Sequence, residues 1–422
     1  MQGSRIRSRL KAQLTKFTAE LSEGLSKPLK NFVGEMVFGI QASQEVKLSS
    51  IARSLKEEIP LIKTEDRLSR NLQAKELEGH LSERLVRMGS RRIEGNSVLC
   101  LDLSDVRKEY AEKMEYLDQV WDGSEGEVHA GYWLLSVTAA EVEGSEITPL
   151  YQKLFSAQAK DFVSENAEIL EGVDRIRAHT QGRGIWAIDR GGDRKRLLEP
   201  LLERGERFVI RSTGQRSVIN RRGRAVTVHH LGACCRLRYR ARVIKIEDGQ
   251  EKVLELRYGV EPIHLRGQAA KLLLVVVAGW GQEPMLLLTN LSGARDSQTL
   301  WWIVRIYLTR WKIEETFRFV KQSYRVEDIR VLRYQRLKNL VWLVTAAAYF
   351  AATFLGQKLK LRILCEKLLI ISQRFFGIPP FRFYALADGI KNILSLCTPN
   401  PPAESPHTRQ LELLLGWEPQ KK

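Results

Sequence analysis

YLTRWKIEETFRFVK, residues Tyr307–Lys321, is the stretch on which the reading of this chain turns. It carries Tyr307, Arg310, Glu314 and Lys321 at offsets 0, 3, 7 and 14. In one continuous α-helix, at about 100° per residue, these positions project at about 0°, 300°, 340° and 320°, a single stripe about 60° wide. A buried helix face would be apolar there. A carboxylate flanked by Arg, Lys and Tyr suits work at a phosphate instead, with Glu314 holding a divalent cation and the other three holding phosphate oxygens. The competing reading is a solvated face with i,i+4 ion pairs. The large apolar residues around the stripe, Trp301, Trp302, Trp311, Phe317 and Phe319, favour a position against a core.

Phosphoryl transfer with two metal ions needs carboxylates from separate elements converging on ions about 4 Å apart. Upstream of Glu314 two apolar runs end in aspartate. SVLCLDLSD reads as a strand that ends at Asp102, with Asp105 as a rival placed in the following turn, where Asp bonds local backbone. GIWAIDRGGD reads as a strand ending at Asp189, then a glycine turn and a helix. Its rival is Asp193, which as an N-cap would serve the helix starting at Arg194. Glu315 neighbours Glu314 but projects about 100° away, off the stripe, as a surface or supporting residue.

The Tyr-x2-Arg-x3-Glu-x6-Lys spacing, with Trp311, Ile313 and Phe317 inside it, resembles the DDE-type transposases of bacterial insertion sequences, in the subgroup named for those four letters. Asp102-Leu103-Ser104 resembles that family's first motif, and Asp189-Arg190-Gly191 its second. The resemblance covers roughly residues 95 to 350. It implies a ribonuclease H-like catalytic domain with a β-rich insertion, and Asp102, Asp189 and Glu314 as catalytic metal ligands for two Mg²⁺ ions, with Mn²⁺ as a substitute. It further implies that Tyr307, Arg310 and Lys321 orient phosphates. The activity implied is cleavage of double-stranded DNA at the element ends and transfer of the freed strand into target DNA, by a homodimer when the ends are synapsed. A metal-dependent nuclease without strand transfer and a catalytically silent DNA-binding regulator are the alternatives.

The fold class expected is α/β. Residues 1–90 read as a helical DNA-binding domain, with Ser49 and Ser50 capping a helix near Ile51 and LIKTEDRLSRNL as a break between helices. Residues 91–211 read as the first part of the catalytic domain, with helical text from Tyr151 to Arg177. Residues 212–290 read as the β-rich insertion and 291–358 as the second catalytic part, helical from about Leu300. Residues 359–422 read as a helical region with a Pro-rich tail.

Composition agrees with a polyanionic partner. Among 422 residues, Lys plus Arg number 67 and Asp plus Glu 50, for a net +17. Between Arg207 and Lys245 there are eleven Lys or Arg and no acidic residue. Arg236, Arg238, Arg240 and Arg242 alternate, which in a strand sets four guanidinium groups on one face for phosphate binding, together with Arg211. The alternative is a charged, protected edge strand. A second basic run, Arg330, Arg333, Arg336 and Lys338, follows the Glu314 helix. Trp280, Trp301 and Trp302 read as core. The five cysteines show no zinc spacing, and mostly buried thiols in a reducing cytoplasm, at the nucleoid, are expected. The opening segment has no signal-peptide pattern. Leu340–Leu355 is apolar but shorter than the roughly 20 residues that span a bilayer, and reads as an interior helix.

Overall fold

The computed structural model describes residues 2–123, 125–247, 250–267, 270–292, 296–356, 358–364 and 383–399. The chain opens with five helices, α1 (Gln2–Leu21), α2 (Lys27–Ser43), α3 (Leu48–Leu55), α4 (Leu61–Asn71) and α5 (Glu76–Ser90). LIKTEDRLSRN is therefore helix α4, not a break: Thr64 and Leu68 repeat at four-residue spacing and are buried, while Lys63, Asp66 and Arg70 are exposed. Ser49 and Ser50 lie inside α3, whose N-cap is Lys47.

A mixed sheet follows. Its strands are β1 (Val98–Arg107), β2 (Asp118–Asp122), β3 (Glu127–Ala140), β4 (Ile147–Phe155), β5 (Ile185–Ile188), β6 (Phe208–Arg211), β7 (Ser217–Ile219), β8 (Ala225–Thr227), β9 (Tyr239–Glu247), β10 (Gln250–Leu265), β11 (Lys271–Ala278) and β12 (Met285–Thr289). Helix α6 (Glu165–Thr180) separates β4 from β5, α7 (Lys195–Glu203) separates β5 from β6, and α8 (Val228–Cys234) precedes β9. The expected helix from Tyr151 thus starts fourteen residues later, at Glu165, capped by Ser164. Tyr151–Phe155 complete β4, because Val137 and Tyr151 pair across the sheet and bury there.

The strand order is β2-β3-β1-β5-β6-β12-β11-β10-β7-β8, with β4 on β3 and β9 on β10. β1, β5 and β6 run parallel, and β3 and β4 fold back antiparallel. β12 pairs antiparallel with β6, so the β-rich segment continues the same sheet. After it come α9 (Ser297–Thr309), α10 (Lys312–Arg318), a π-helical turn Phe319–Ser323 and α11 (Tyr334–Tyr349); α12 (Phe383–Leu394) lies beyond. The Pro-rich tail and Cys365 lie outside the described residues.

Two apolar cores flank the sheet. One joins the N-terminal helices and α11 to one face; the other packs α9 against β5, β6 and β11 on the opposite face. Tyr334–Phe354 is long and apolar enough to cross a membrane, yet 89% of its most apolar window is buried here, as a central core helix. Polar side chains fix the helical segment to it. Gln41, fully buried, donates to the Ala347 carbonyl at 2.7 Å and accepts from the Tyr324 hydroxyl at 3.2 Å. Asn339, also fully buried, donates to the carbonyls of Leu72 and Ala74, both at 2.8 Å.

Those two carbonyls lie in the α4–α5 connection and have Asn339 as their shared donor. Asn339→Ala should deprive Leu72 of that donor and leave Ala74 only the Leu77 N–H at 3.4 Å, lowering stability by about 2 kcal/mol. The shift of the urea midpoint at unchanged slope measures it. A midpoint equal to that of the parent would show that the connection is held by packing alone.

Candidate active site

The register of the parallel strands sets the site. Leu101 of β1 lies beside Ile188 of β5, and Ile188 beside Ile210 of β6. The next residues on the three strands are Asp102, Asp189 and Arg211. Neighbouring strands are about 4.8 Å apart, so the two aspartates and one arginine emerge side by side where β5 and β6 end. In open α/β sheets this is where ligands gather. β1 itself runs on to Arg107, so Asp102 sits mid-strand rather than at a strand end; its pairing with Ser136 of β3 carries β1 onward.

The helical stripe is not continuous. Helix α9 ends at Thr309, and Arg310, Trp311, Ile313 and Glu314 form tight i→i+3 turns through their own N–H groups. The π-helical turn then unwinds the chain at Phe319–Ser323, so Lys321 leaves the phase a regular helix would give it. Tyr307 is 1% exposed, and its ring belongs to the core under the sheet. The Arg310 guanidinium lies 5.9 Å from the Tyr307 ring centre and 5.3 Å from that of Trp311. Glu315's side chain lies outside the described residues.

Overwinding aims Arg310 at β1. Its Nη1 donates to Asp102 Oδ2 at 2.7 Å, and its Nη2 lies 4.0 Å from Glu314 Oε1. Arg310 is 7% exposed, and its Nε is buried without a hydrogen-bond partner. Burial pushes the Asp102 carboxyl up to about 6; Arg310 and the Leu103 N–H, at 2.9 Å, oppose this, while Asp189 and Glu314 reinforce it. Burial alone would lower the pKa of Arg310, but Asp102, then Tyr307, Asp189 and Glu314, raise it. The three carboxylates thus act on one another and on one guanidinium. Beneath them the buried Cys100 thiol, pushed up to about 12 by burial, donates to the Thr309 carbonyl. Thr138 and Thr316, both fully buried, hydrogen-bond at 3.0 Å and seat α10 on β3.

Asp105 is not a turn residue. It lies in β1, 7% exposed, and pairs with Lys321 at 3.1 Å; Glu327 holds the same ammonium at 3.1 Å. The loop bearing Glu327 is fastened by Lys108, whose ammonium donates to the carbonyls of Val326, Glu327 and Ile329. Burial pulls the Lys108 pKa down to about 7, against Glu327 and Asp328. Nothing in the local sequence marks the pairing of Asp105 with Lys321 or of Lys108 with this loop, because those partners lie more than 200 residues apart along the chain.

Asp193 does not cap α7, whose N-cap is Arg194. It accepts from Ser212 Oγ at 2.6 Å, Thr213 N at 2.9 Å and Arg216 Nε at 2.5 Å, and so clamps the chain leaving β6 to the turn after Asp189. Asp189 itself accepts from the Gly191 N–H at 2.8 Å. Gly192 lets that turn lie close to the sheet: a Cβ there would be 2.5 Å from Ile188 Cγ2.

The basic row is shorter than its alternation suggests. β9 begins at Tyr239, so Arg240 and Arg242 are in the strand, whereas Arg236 and Arg238 precede it; all four are exposed. The second basic run is largely tied into the fold, with Arg336 on Gln73 and Ser69, and Lys338 on Glu78. Trp280 packs near Trp311 and under Lys245. Among the described cysteines Cys100, Cys235 and Cys397 are buried, in line with the expectation of mostly buried thiols, and Cys234 is exposed.

A separate group, Asp122, Glu125 and His129, brings ligand atoms within 4.8 Å of one another in the β2–β3 hairpin. Arg107 already binds both oxygens of Glu125, at 3.0 and 2.9 Å. The Asp102, Asp189 and Glu314 set offers oxygen donors only, which suits a hard divalent cation such as Mg²⁺.

Residues 94–350 match the family described as Transposase DDE domain. No curated protein matches the sequence. Among solved structures, the cryo-EM structure of a piggyBac transposase synaptic complex with hairpin DNA aligns at 10% identity, over 96% of this chain and 82% of that one, with a TM-score of 0.43.

The Asp193 clamp is testable by itself. Asp193→Ala strands a half-buried guanidinium and three further donors, two of them on the exposed Thr213, and should cost about 2 kcal/mol of stability, less than breaking a fully buried ion pair. Asp193→Asn, which keeps acceptor capacity, should lose less. Both are read from denaturant midpoints. Equal loss in the two variants would mean that charge, not the hydrogen-bonded geometry, holds this turn.

Proposed function

The chain belongs to the family of transposase DDE domains, and from that premise we propose that it is the transposase of a bacterial insertion sequence, in the subgroup with the Tyr-x2-Arg-x3-Glu-x6-Lys signature. The observation that carries this reading is the convergence of Asp102, Asp189 and Glu314 on Arg310. The order β4-β3-β1-β5-β6, with three strands antiparallel and the last two parallel to β1, supports a ribonuclease H-like catalytic sheet. In this reading residues 91–211 and 291–358 form the catalytic domain, 212–290 the insertion, 1–90 a DNA-binding domain and 359–422 a C-terminal region. It acts on double-stranded DNA at the bacterial nucleoid, as a homodimer when two ends are synapsed.

Asp102, Asp189 and Glu314 would hold two Mg²⁺ ions, with Mn²⁺ able to substitute. Ions in such a site acidify a bound water or hydroxyl and offset charge on the leaving oxygen. Arg310 and Lys321 orient phosphate oxygens, Arg310 through its planar fork. Tyr307 acts through Arg310, by backing its guanidinium. Arg211, Arg236, Arg238, Arg240 and Arg242 hold the DNA backbone. In the first step water cleaves a phosphodiester and leaves a 3′-hydroxyl. In the second that hydroxyl attacks a target phosphodiester in line, forming one ester bond as another breaks.

Asp102→Ala, Asp189→Ala and Glu314→Ala should each abolish Mg²⁺-dependent cleavage and joining of an end-bearing duplex while DNA binding persists. Cleavage at the parental rate by any one variant removes that residue from the site. Hydrolysis without joined product by the parent chain would favour a nuclease.

The raised Asp102 pKa gives a second prediction, on cation binding. Its folded value of about 6 exceeds the ordinary value of about 3.9. The folded state therefore binds this proton more tightly, and the group's contribution to stability is fullest below about pH 4 and lost as pH rises through about 6. A cation needs the ionised form. Mn²⁺ affinity by titration calorimetry should thus fall about tenfold per unit below pH 6 and level off above it. A flat profile from pH 5 to 7 would exclude Asp102 as a ligand.

A further inference from the structure

The hairpin of β9 and β10 extends beyond the sheet. β11 pairs β10 only at Arg257–His264, so the part of β10 before Arg257 has β9 as its neighbour, and β9 pairs only with β10 among the described residues. One face of this ribbon is covered: Ala241, Val243 and Leu254 pack against the core that contains α9. The other face is open. There Arg240 lies opposite Arg257, Arg242 opposite Glu255, to whose Oε1 its Nε and Nη2 donate at 3.1 and 3.0 Å, and Ile244 opposite Val253.

Two features of the open face are costly in water alone. Directly opposed like charges, Arg240 and Arg257, repel one another. Ile244 and Val253 are each 64% exposed and stand side by side. On the described open face the opposed Arg240 and Arg257 form a basic root beside the apolar pair. A phosphate backbone fits that root, so the apolar pair next to it faces the part of a nucleic acid that lies between phosphate rows. The major groove of duplex DNA admits a two-stranded ribbon and presents one apolar group, the thymine methyl.

We propose that the open face of the β9–β10 ribbon lies in the major groove of duplex DNA, with Ile244 and Val253 against thymine methyls and Arg240, Arg242 and Arg257 on the flanking phosphates. The proposal rests on the reading of the chain as a DNA-acting transposase and adds a base-reading surface to it.

The test is fluorescence anisotropy with the full chain on one short duplex of mixed sequence, made once with thymine and once with deoxyuridine in its place. A buried methyl contributes roughly three- to fourfold in affinity, so the parent chain should bind the uridine duplex about three- to tenfold more weakly. Ile244→Ser with Val253→Ser should bind the two duplexes equally. Arg240→Gln with Arg242→Gln should keep the thymine preference and flatten the plot of log affinity against log salt by about 0.9 for each phosphate no longer neutralised. Equal binding of both duplexes by the parent, with the salt slope still flattened in the Arg variant, overturns the groove placement and leaves DNA binding standing. No salt-dependent binding at all overturns both. A parent without thymine preference whose double Ser variant sediments as a smaller species assigns the pair to an interface between copies, and also overturns the proposal.

Discussion

Three carboxylates brought together in a half-buried site repel one another, and this fold accommodates them because a guanidinium is built into the same cluster. Even with Arg310 on Asp102, the Asp102 carboxyl is pushed up to about 6. Without that partner, two adjacent parallel strands would place two aspartates together with little to offset them. The register of β1 on β5 brings Asp102 and Asp189 side by side, and the tight turn after α9 brings Arg310 and Glu314 over them. Burial of Tyr307 and Ile313 in the core beneath holds that turn in place.

The second basic residue of the signature is balanced in the same way. Lys321 sits between Asp105 and Glu327, and Glu327 lies on a loop fastened by Lys108. Both cations proposed to orient phosphates are therefore paired with carboxylates of the protein. Under the proposed function, phosphate binding at this site is an exchange of partners and not the filling of a bare positive pocket. Exchange lowers the net gain from each phosphate bound, because an existing ion pair must be loosened. It also lets the empty site remain folded without a large local excess of charge. On these grounds Arg240 and Arg257, opposed on the open face of the ribbon, would carry more of the long-range attraction for a polyanion than Arg310 or Lys321, or than Arg242, which is paired with Glu255.

Much of the candidate site was legible because its residues break the pattern of their own elements. Asp102 and Asp189 interrupt apolar runs, and a polar stripe beside tryptophans is a poor core face. The spacing of the stripe was legible; its geometry was not. A tight turn and a π-helical turn change the phase of a helix through backbone hydrogen bonds that no residue type marks, so Lys321 met Asp105 and Tyr307 went inward. Asp193 was misread because Asp before a helix is ordinarily a cap, whereas its partners, Ser212, Thr213 and Arg216, become neighbours only when β6 pairs with β5. In the helical segment, LIKTEDRLSRN looked like a break because its polar residues outnumber its apolar ones; two buried positions one turn apart are enough once α2 and α3 cover them.

Continuity of the sheet links the ribbon to the chemistry. β12 pairs with β6, β11 with β12 and β10 with β11, so an unbroken ladder of hydrogen bonds runs from the strand beside Asp189 to the root of the ribbon. The Asp193 clamp closes the same path at the point where the chain leaves β6. On the face below, one core holds Ile303, Val304 and Tyr307 of α9 together with Val209 of β6 and Leu256 of β10. The helix that ends at Arg310 is thereby packed against both the catalytic strands and the underside of the ribbon. A nucleic acid lying along the open face of the ribbon would be held at a fixed distance from Arg310 by strand pairing above and by packing below, with no flexible linker among the described residues of that path.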